Sequence, residues 1–252
     1  MKAEPRGIQS VEVAGHILRT IAEQSRPLSL TDIAERLDSA PAQIFSYLVS
    51  LERTGLLKRD PVTQKYEPGS LSLRLGMDAL YDSPGARAAI ATMKSWGQKE
   101  QLNVFVSVWT RFGPVVIFYR EYGQVMNLGF KQGAVFSLTR TATGKLFAAW
   151  TPQEKCDAVI QQQTFTHDDR ALFNSAAFQQ TLGEIREQGV SLSRGVPTPS
   201  VSALAAPVFD GEGNMVLAIS VLFPADRLDE PTIAALGDRL RASARALSGG
   251  AR

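Results

Sequence analysis

Two stretches of this sequence concentrate side chains suited to recognising other molecules by charge and hydrogen bonding. In the first, Gln43, Ser46, Ser50 and Arg53 recur at a spacing that projects all four from one side of a helix. Lys58, Arg59 and Lys65 follow closely. An amide and hydroxyls match the donor and acceptor pattern of base edges, and clustered cations match phosphates. In the second stretch, TRTATGK, Thr139, Thr141 and Thr143 with Gly144 open a helix. Backbone N–H groups and the positive end of the helix dipole then face outward, and such an end accepts a carboxylate without a full lysine charge. An ordinary capped helix start reads the same way.

Residues for catalysis do not assemble. His16 falls in a helix and His167 in a loop, with no cysteine or carboxylate at metal-ligand spacing. The turn DGEGN lacks the length and terminal glutamate of a calcium loop. Cys156 lies inside a helix with no cation nearby to lower its pKa, which reads as a buried inert thiol. No GxSxG, phosphate loop or dinucleotide fingerprint occurs. The expectation is a chain that is not an enzyme, with no catalytic residues, no metal and no cofactor.

Bulk composition narrows the setting. Hydrophobic residues make up 44% and charged residues 21%, which suits a folded soluble chain. A single cysteine excludes a disulfide framework and points to a reducing, cytoplasmic setting. MKAEPRGIQS carries charge and proline where a signal peptide needs an apolar core, and nothing is long and apolar enough to span a membrane. The net charge is +2. Nine Lys/Arg against eight Asp/Glu lie before Glu67, and eighteen against seventeen lie from there on. Bulk charge therefore decides nothing, and only the local placement of cations bears on nucleic-acid binding.

The elements that position the first stretch are short. Gln9 to Ser25 reads as a helix with Val13, Ile17, Leu18 and Ile21 on one face and Ser10 as its cap. Pro27 breaks it. SLTDIAERL starts a second helix, capped by Ser29 or Thr31, with Ile33, Ala34 and Leu37 inward. Pro41 suits the first turn of a third, which runs to about Thr54 and stops at Gly55. Ile44, Tyr47, Leu48 and Leu51 form its apolar stripe. A hairpin follows, with strands at Leu56–Arg59 and Gln64–Glu67 about an Asp60-Pro61 turn. Three helices and a basic hairpin describe a winged helix-turn-helix, whose third helix enters the major groove while the wing lies on the backbone. A small helical bundle that binds no nucleic acid has the same pattern.

GIQSVEVAGHIL, PLSLTDIAERL, YLVSLERTGLLKRD and KYEPGSLSLRLG resemble successive blocks of the IclR-type family of transcriptional regulators. TATGKLFAAW and ALAAPVFDGEGNMVLAISVLFP resemble blocks of that family's effector domain. The similarity runs in order from about Gly7 to Leu247. It implies double-stranded operator DNA as partner, read by Ser39, Ala42, Gln43, Phe45, Ser46, Ser50 and Arg53 with Lys58, Arg59 and Lys65 on the wing. Relatives tend to carry a basic residue at the position of Gln43, a histidine at Phe45 and an arginine at Ser46. Here the third helix has no cation before Arg53. Gln43 can still read adenine. Phe45 suits either a thymine methyl or a partner helix.

The expected organisation is a DNA-binding domain over 7–69, a linker helix over 70–83 and an effector domain over 84–249. Leu71, Leu75, Met77 and Leu80 give the linker an apolar face. In the family such a segment helps pair the DNA-binding heads, although a helix lying on its own domain fits equally. Pro84–Gln101 reads as a helix, NVFVSVWTR and VVIFYREY as strands, and Val125–Phe130 as another strand. Two or three helices occupy Thr143 to Gln188, parted by Thr151-Pro152 and a TFTHDDRALFN loop. SALAAPVFD and MVLAISVLF close a hairpin at GEGN, and the final helix runs from Pro231 to Leu247 with Asp229 as cap. Paired strands broken by helices describe an α+β layer domain with an antiparallel sheet, and the resemblance implies a GAF-like fold around a ligand cavity.

By resemblance, a small organic acid sits against Thr141, Ala142, Thr143 and Gly144, with Ser193, Ala203 and Ser220 at aligned positions. Relatives often place an acid near Ser193 and a cysteine near Ala203. The loop SRGVPTPSVSA adds Arg194, which either pairs with an anionic effector or is a solvated surface residue. The resulting expectation is a homodimer or homotetramer whose operator binding answers to a carboxylate effector, with no membrane association. A metabolite sensor acting through protein contacts, its DNA binding weakened, is the alternative.

Overall fold

The computed structural model describes residues 7–24, 26–81, 85–123, 131–163, 168–226 and 228–249. The chain divides into two units, Met1–Asp82 and Ser83–Arg252. In the first, α1 spans Gln9–Ala22, α2 Leu30–Arg36 and α3 Pro41–Arg53. Ile17, Ile21, Ile33, Ile44, Leu48 and Leu51 bury together, as helical spacing requires. Ile8 precedes α1 with no side-chain cap, so Ser10 lies within the helix and does not cap it. Ser29 does cap α2. Its hydroxyl accepts from the Asp32 N–H at 3.1 Å, and the Asp32 carboxylate accepts from the Ser29 N–H at 2.9 Å. These bonds hold the Asp32 carboxyl below its ordinary range.

Thr54 ends α3, and Gly55 turns the chain at φ +77, a conformation that glycine adopts without a Cβ penalty. The wing pairs β1, Leu57–Arg59, with β2, Tyr66–Pro68, so its strands lie one to two residues later than the expected Leu56 and Gln64 starts. Asp60 causes the longer turn: its carboxylate gathers the N–H groups of Val62 and Thr63 and the Thr63 hydroxyl. A further strand-like pairing has no signature in the sequence. Leu28 and Tyr66 exchange backbone bonds of 3.1 and 2.7 Å, which joins the segment before α2 to the wing.

Helix α4 spans Ser70–Tyr81. Its start is tied to the wing base, where the Ser72 hydroxyl donates to the Leu56 carbonyl at 2.7 Å. Beyond that turn Leu73, Leu75 and Met77 are exposed, so the helix does not bury its apolar face on its own unit. The side chain of Leu80 and the last two residues of the expected linker, Asp82 and Ser83, lie outside the described residues.

The second unit is built on an antiparallel sheet. Its strands are β3 Asn103–Thr110, β4 Gly113–Arg120, β5 Ser191–Arg194, β6 Val201–Phe209 and β7 Met215–Pro224, in the order β4-β3-β7-β6-β5. Alternation assigns each strand two faces. Val104, Val106, Leu204, Ala206, Ile219 and Val221 point to one side, where they bury against α5, Ala86–Glu100, and α10, Glu230–Gly249. Asp229 caps α10 by accepting from the Thr232 N–H at 3.0 Å. The other face carries small residues, Ala205, Ala218 and Ser220, beneath α6, Ala142–Trp150. Small residues on both surfaces let helix and sheet approach closely.

Four helices, not two or three, fill this side among the described residues. After α6 come α7 Gln153–Gln162, α8 Asp169–Phe173 and α9 Ala176–Gln188. The supposed loop contains α8 because Phe173 is buried against Phe178, their ring centroids 5.6 Å apart. The chain from Ser191 to Arg194, expected in part as loop, is strand β5 paired with β6. The expected strand over Val125–Phe130 and His167 lie outside the described residues. Among the described residues no helix is long and apolar enough to cross a membrane.

Candidate functional site

The first unit presents α3 as its outward element. Ala42, Gln43, Phe45, Ser46, Ser50 and Arg53 are all exposed, while Ile44, Leu48 and Leu51 anchor the opposite side. Phe45 is 44% exposed, an unusual setting for a phenyl ring. Ser50 spends its donor on the Ser46 carbonyl, and half-buried Ser39 donates to the Leu37 carbonyl, so both offer lone pairs to a partner. On the wing, Lys58 pairs with Glu67 at 3.1 Å, and the Arg59 guanidinium stands 5.5 Å from the Tyr66 ring centroid. Lys65 is half-buried, and its charge helps keep the Asp32 carboxyl low. A helix face of hydrogen-bonding groups beside a cationic hairpin has the parts for base and phosphate recognition.

Replacing Lys58, Arg59 and Lys65 by alanine is expected to weaken binding to every DNA sequence roughly alike. The salt dependence of the affinity should shrink by about 0.9 in slope for each phosphate that is no longer neutralised. Titrations of specific and scrambled duplexes at several salt concentrations check this. A sequence-selective loss with an unchanged slope would remove these residues from the phosphate-binding role.

The second unit encloses a cavity of about 600 Å³, within the usual range for small-molecule sites. Its floor is the α6 face of the sheet, where Phe105 from β3, Leu222 from β7 and Val201 and Ala203 from β6 converge. Val135 and Phe136 close one side, and Val196, Pro197 and Thr198 another. The Phe136 ring meets Phe105 edge-on at 5.4 Å. One end is polar: Ser137, Arg140, Thr141, Ala142 and Thr143 line it at the start of α6.

The Thr141 hydroxyl caps α6 by accepting from the Gly144 N–H at 2.9 Å, and the Lys145 N–H reaches the Thr141 carbonyl at 3.0 Å. The N–H groups of Ala142 and Thr143 precede any intrahelical acceptor, as at every helix start. These two donors sit in cavity-lining residues with the positive dipole end behind them.

Of the residues anticipated for this cavity, Thr141, Ala142, Thr143 and Ala203 line it. Gly144, Ser193, Arg194 and Ser220 do not. Gly144 faces the Ser137 carbonyl, with its N–H spent on the cap. Ser193 is buried and donates to the Val196 carbonyl at 2.6 Å, which fixes the loop that forms a wall. Ser220 stands behind Thr143, their hydroxyls 3.1 Å apart. Arg194 pairs with Glu230 at 2.6 Å and not with the cavity. The arginine that lines the wall is Arg140, whose Nε donates to Asp169 at 2.9 Å. It lies inside TRTATGK, where the threonines are the more conspicuous residues. Phe105, Phe136 and Leu222 carry no local signal, since strand pairing alone brings them together.

Two further groups bear on chemistry. Lys145 reaches the Leu192 carbonyl at 3.2 Å, and burial lowers its pKa. Cys156 is buried, and burial pushes its thiol up to about 12, so it stays protonated and inert.

Comparison with known proteins decides the family. The description "IclR helix-turn-helix domain" matches residues 10–61, and "Bacterial transcriptional regulator IclR C-terminal" matches residues 87–249. The chain belongs to the IclR family of transcriptional regulators. It is 30% identical over 251 residues to the HTH-type transcriptional regulator BhcR of Paracoccus denitrificans, covering 97% of this chain and 88% of that one. Among solved structures, it is similar to an IclR transcriptional regulator from Alicyclobacillus acidocaldarius, with a TM-score of 0.78 and 23% identity over 98% of this chain and 100% of the other. It is also similar in fold to an IclR homolog from Microbacterium hydrocarbonoxydans complexed with 4-hydroxybenzoate, with a TM-score of 0.73 and 16% identity over 96% and 99%. This IclR-family chain is thus a DNA-binding transcriptional regulator with a C-terminal ligand-binding domain, and its relatives are regulators, not enzymes.

Proposed function

We propose that this regulator binds operator DNA as a homodimer or homotetramer in the cytoplasm, and that a small organic acid in the C-terminal cavity controls that binding. The proposed parts are a DNA-binding domain over 7–69, a linker helix over 70–83 and an effector domain over 84–249. The observation that carries the reading is the cavity of about 600 Å³: apolar walls suit a hydrocarbon body, and the N–H groups at the start of α6 suit a carboxylate. The Microbacterium homolog complexed with 4-hydroxybenzoate supports an aromatic acid as the ligand class. Leu73, Leu75 and Met77, exposed on α4, support pairing of the heads through this helix.

Ala203 faces the cavity from β6, so Ala203→Phe fills space that the ligand needs. The variant is expected to lose about tenfold or more of its response to 4-hydroxybenzoate, while its affinity for operator without ligand stays within about twofold of the parent. Operator titrations with and without the acid measure both. An unchanged response would move the ligand out of this cavity.

The second reading, a sensor acting through protein contacts, draws on Phe45 and on the absence of cations in α3 before Arg53. Lys58 and Arg59, exposed on the wing beside the outward face of α3, favour DNA over that alternative, because cations so placed suit phosphates.

A further inference from the structure

We infer that the Thr143 hydroxyl donates a hydrogen bond to the effector's carboxylate, and that Ser220, buried behind it, is the positioning residue that leaves this proton free for the ligand. This rests on the reading of the cavity as the site of an organic acid. The two hydroxyls stand 3.1 Å apart, and Thr143 and Ser220 are 1% and 0% exposed. They carry two protons between them, and their mutual bond uses one. Among the described residues neither hydroxyl has another hydrogen-bond partner. The second proton is left without an acceptor there.

Where that proton sits depends on which hydroxyl donates. If Thr143 donates to Ser220, the spare proton is on Ser220. That residue is not part of the cavity lining, and its cross-strand neighbours, Phe105 on β3 and Ala205 on β6, have hydrocarbon side chains. A buried donor so placed loses its water and gains nothing in return. If Ser220 donates to Thr143, the spare proton is on Thr143, which lines the cavity. A ligand oxygen then completes a chain from Ser220 through Thr143 to the ligand, and each bond of such a chain polarises the next. Thr143 also carries one of the N–H groups left open at the start of α6. A carboxylate there meets the N–H groups of Ala142 and Thr143 and the Thr143 O–H together. A hydrocarbon can use none of them.

The test uses the full-length protein and reads affinity by calorimetry for benzoate, 4-hydroxybenzoate and phenylacetate. Toluene and ethylbenzene, which keep a hydrocarbon body and carry no acceptor, are the reference probes. Thr143→Val removes the hydroxyl and keeps the outline and the backbone N–H, whereas Thr143→Ser keeps the hydroxyl. Ser220→Ala removes the partner, and Thr143→Val with Ser220→Ala leaves no buried hydroxyl stranded. Thr143→Val and the double variant are expected to bind the acids about tenfold to a hundredfold more weakly than the parent, and the hydrocarbons within about threefold of it. Thr143→Ser should hold the acids within about threefold of the parent. Ser220→Ala alone should weaken the acids about threefold to fivefold, and should add nothing to Thr143→Val, because it acts through that hydroxyl. Acids bound as tightly by the double variant as by the parent overturn the role of Thr143 and spare the cavity. So do acids and hydrocarbons weakened alike, or a loss in Thr143→Ser equal to that in Thr143→Val. An equal loss from Ser220→Ala with and without the Thr143 hydroxyl overturns the positioning role of Ser220. A parent that takes up none of the three acids overturns the cavity reading and this inference with it.

Discussion

Gly144→Ala is expected to lower the unfolding midpoint of the effector domain by roughly 4–10 °C. A Cβ at this position would stand 1.9 Å from the Ser137 carbonyl oxygen and 2.7 Å from its carbon, distances that no rotamer relieves. The start of α6 must move away from the 137–140 turn, at an overpacking cost of about 1–3 kcal/mol or more. The same shift would displace the N–H groups of Ala142 and Thr143 from the cavity, so acid binding should fall with stability. Gly183, in the middle of α9, meets nothing within 4 Å. Gly183→Ala should instead stabilise by about 0.5–1 kcal/mol, because alanine loses less backbone freedom in a helix. Thermal unfolding of the two variants beside the parent separates a steric glycine from an incidental one. Equal small effects at both positions would refute the close approach at α6.

Gln43→Lys combined with Ser46→Arg is expected to raise affinity for DNA while eroding its selectivity. Both positions are exposed on α3, away from Ile44 and Leu48, so the substitutions should leave the fold intact. Two added cations facing the groove gain phosphate attraction, a gain that shrinks as salt rises. The operator loses the best candidate for bidentate reading of adenine, at a cost on the order of 1–3 kcal/mol. Scrambled duplex should therefore gain more than operator, and the ratio between them should narrow. Titrations at two salt concentrations check this. Identical responses on both duplexes, or none, would mean that α3 is not the reading helix, and the sensor acting through protein contacts would move ahead.

The DNA-binding unit is legible in the sequence because its signals are local. Apolar residues at helical spacing, Ser29 with Asp32, Pro41 and Gly55 each mark an element boundary within a few residues of itself. The exchange of backbone bonds between Leu28 and Tyr66 is not legible, since nothing near either residue announces a partner so far along the chain. In the effector domain the long strands show their alternation, whereas β5, only Ser191–Arg194, is too short to show a period. Its identity comes from pairing with β6. The same physics explains the mixed outcome at the cavity. Thr141, Ala142 and Thr143 line it because a helix start points its own groups outward. Arg194 looks equally promising in sequence, yet α10 supplies Glu230 as its partner. Arg140 escapes notice there because its setting depends on Asp169 from α8, a helix hidden within an apparent loop.

The proposed function joins two sites: a DNA-reading unit and a cavity whose ligand governs it. One titration tests both at once, using the duplex that flanks this protein's own gene and a scrambled duplex, each with and without 4-hydroxybenzoate at physiological salt. The proposed function requires operator binding about a thousandfold or more tighter than scrambled, and a shift of operator affinity by the acid of about fivefold to 150-fold in either direction. Equal affinity for the two duplexes together with no response to the acid would contradict it.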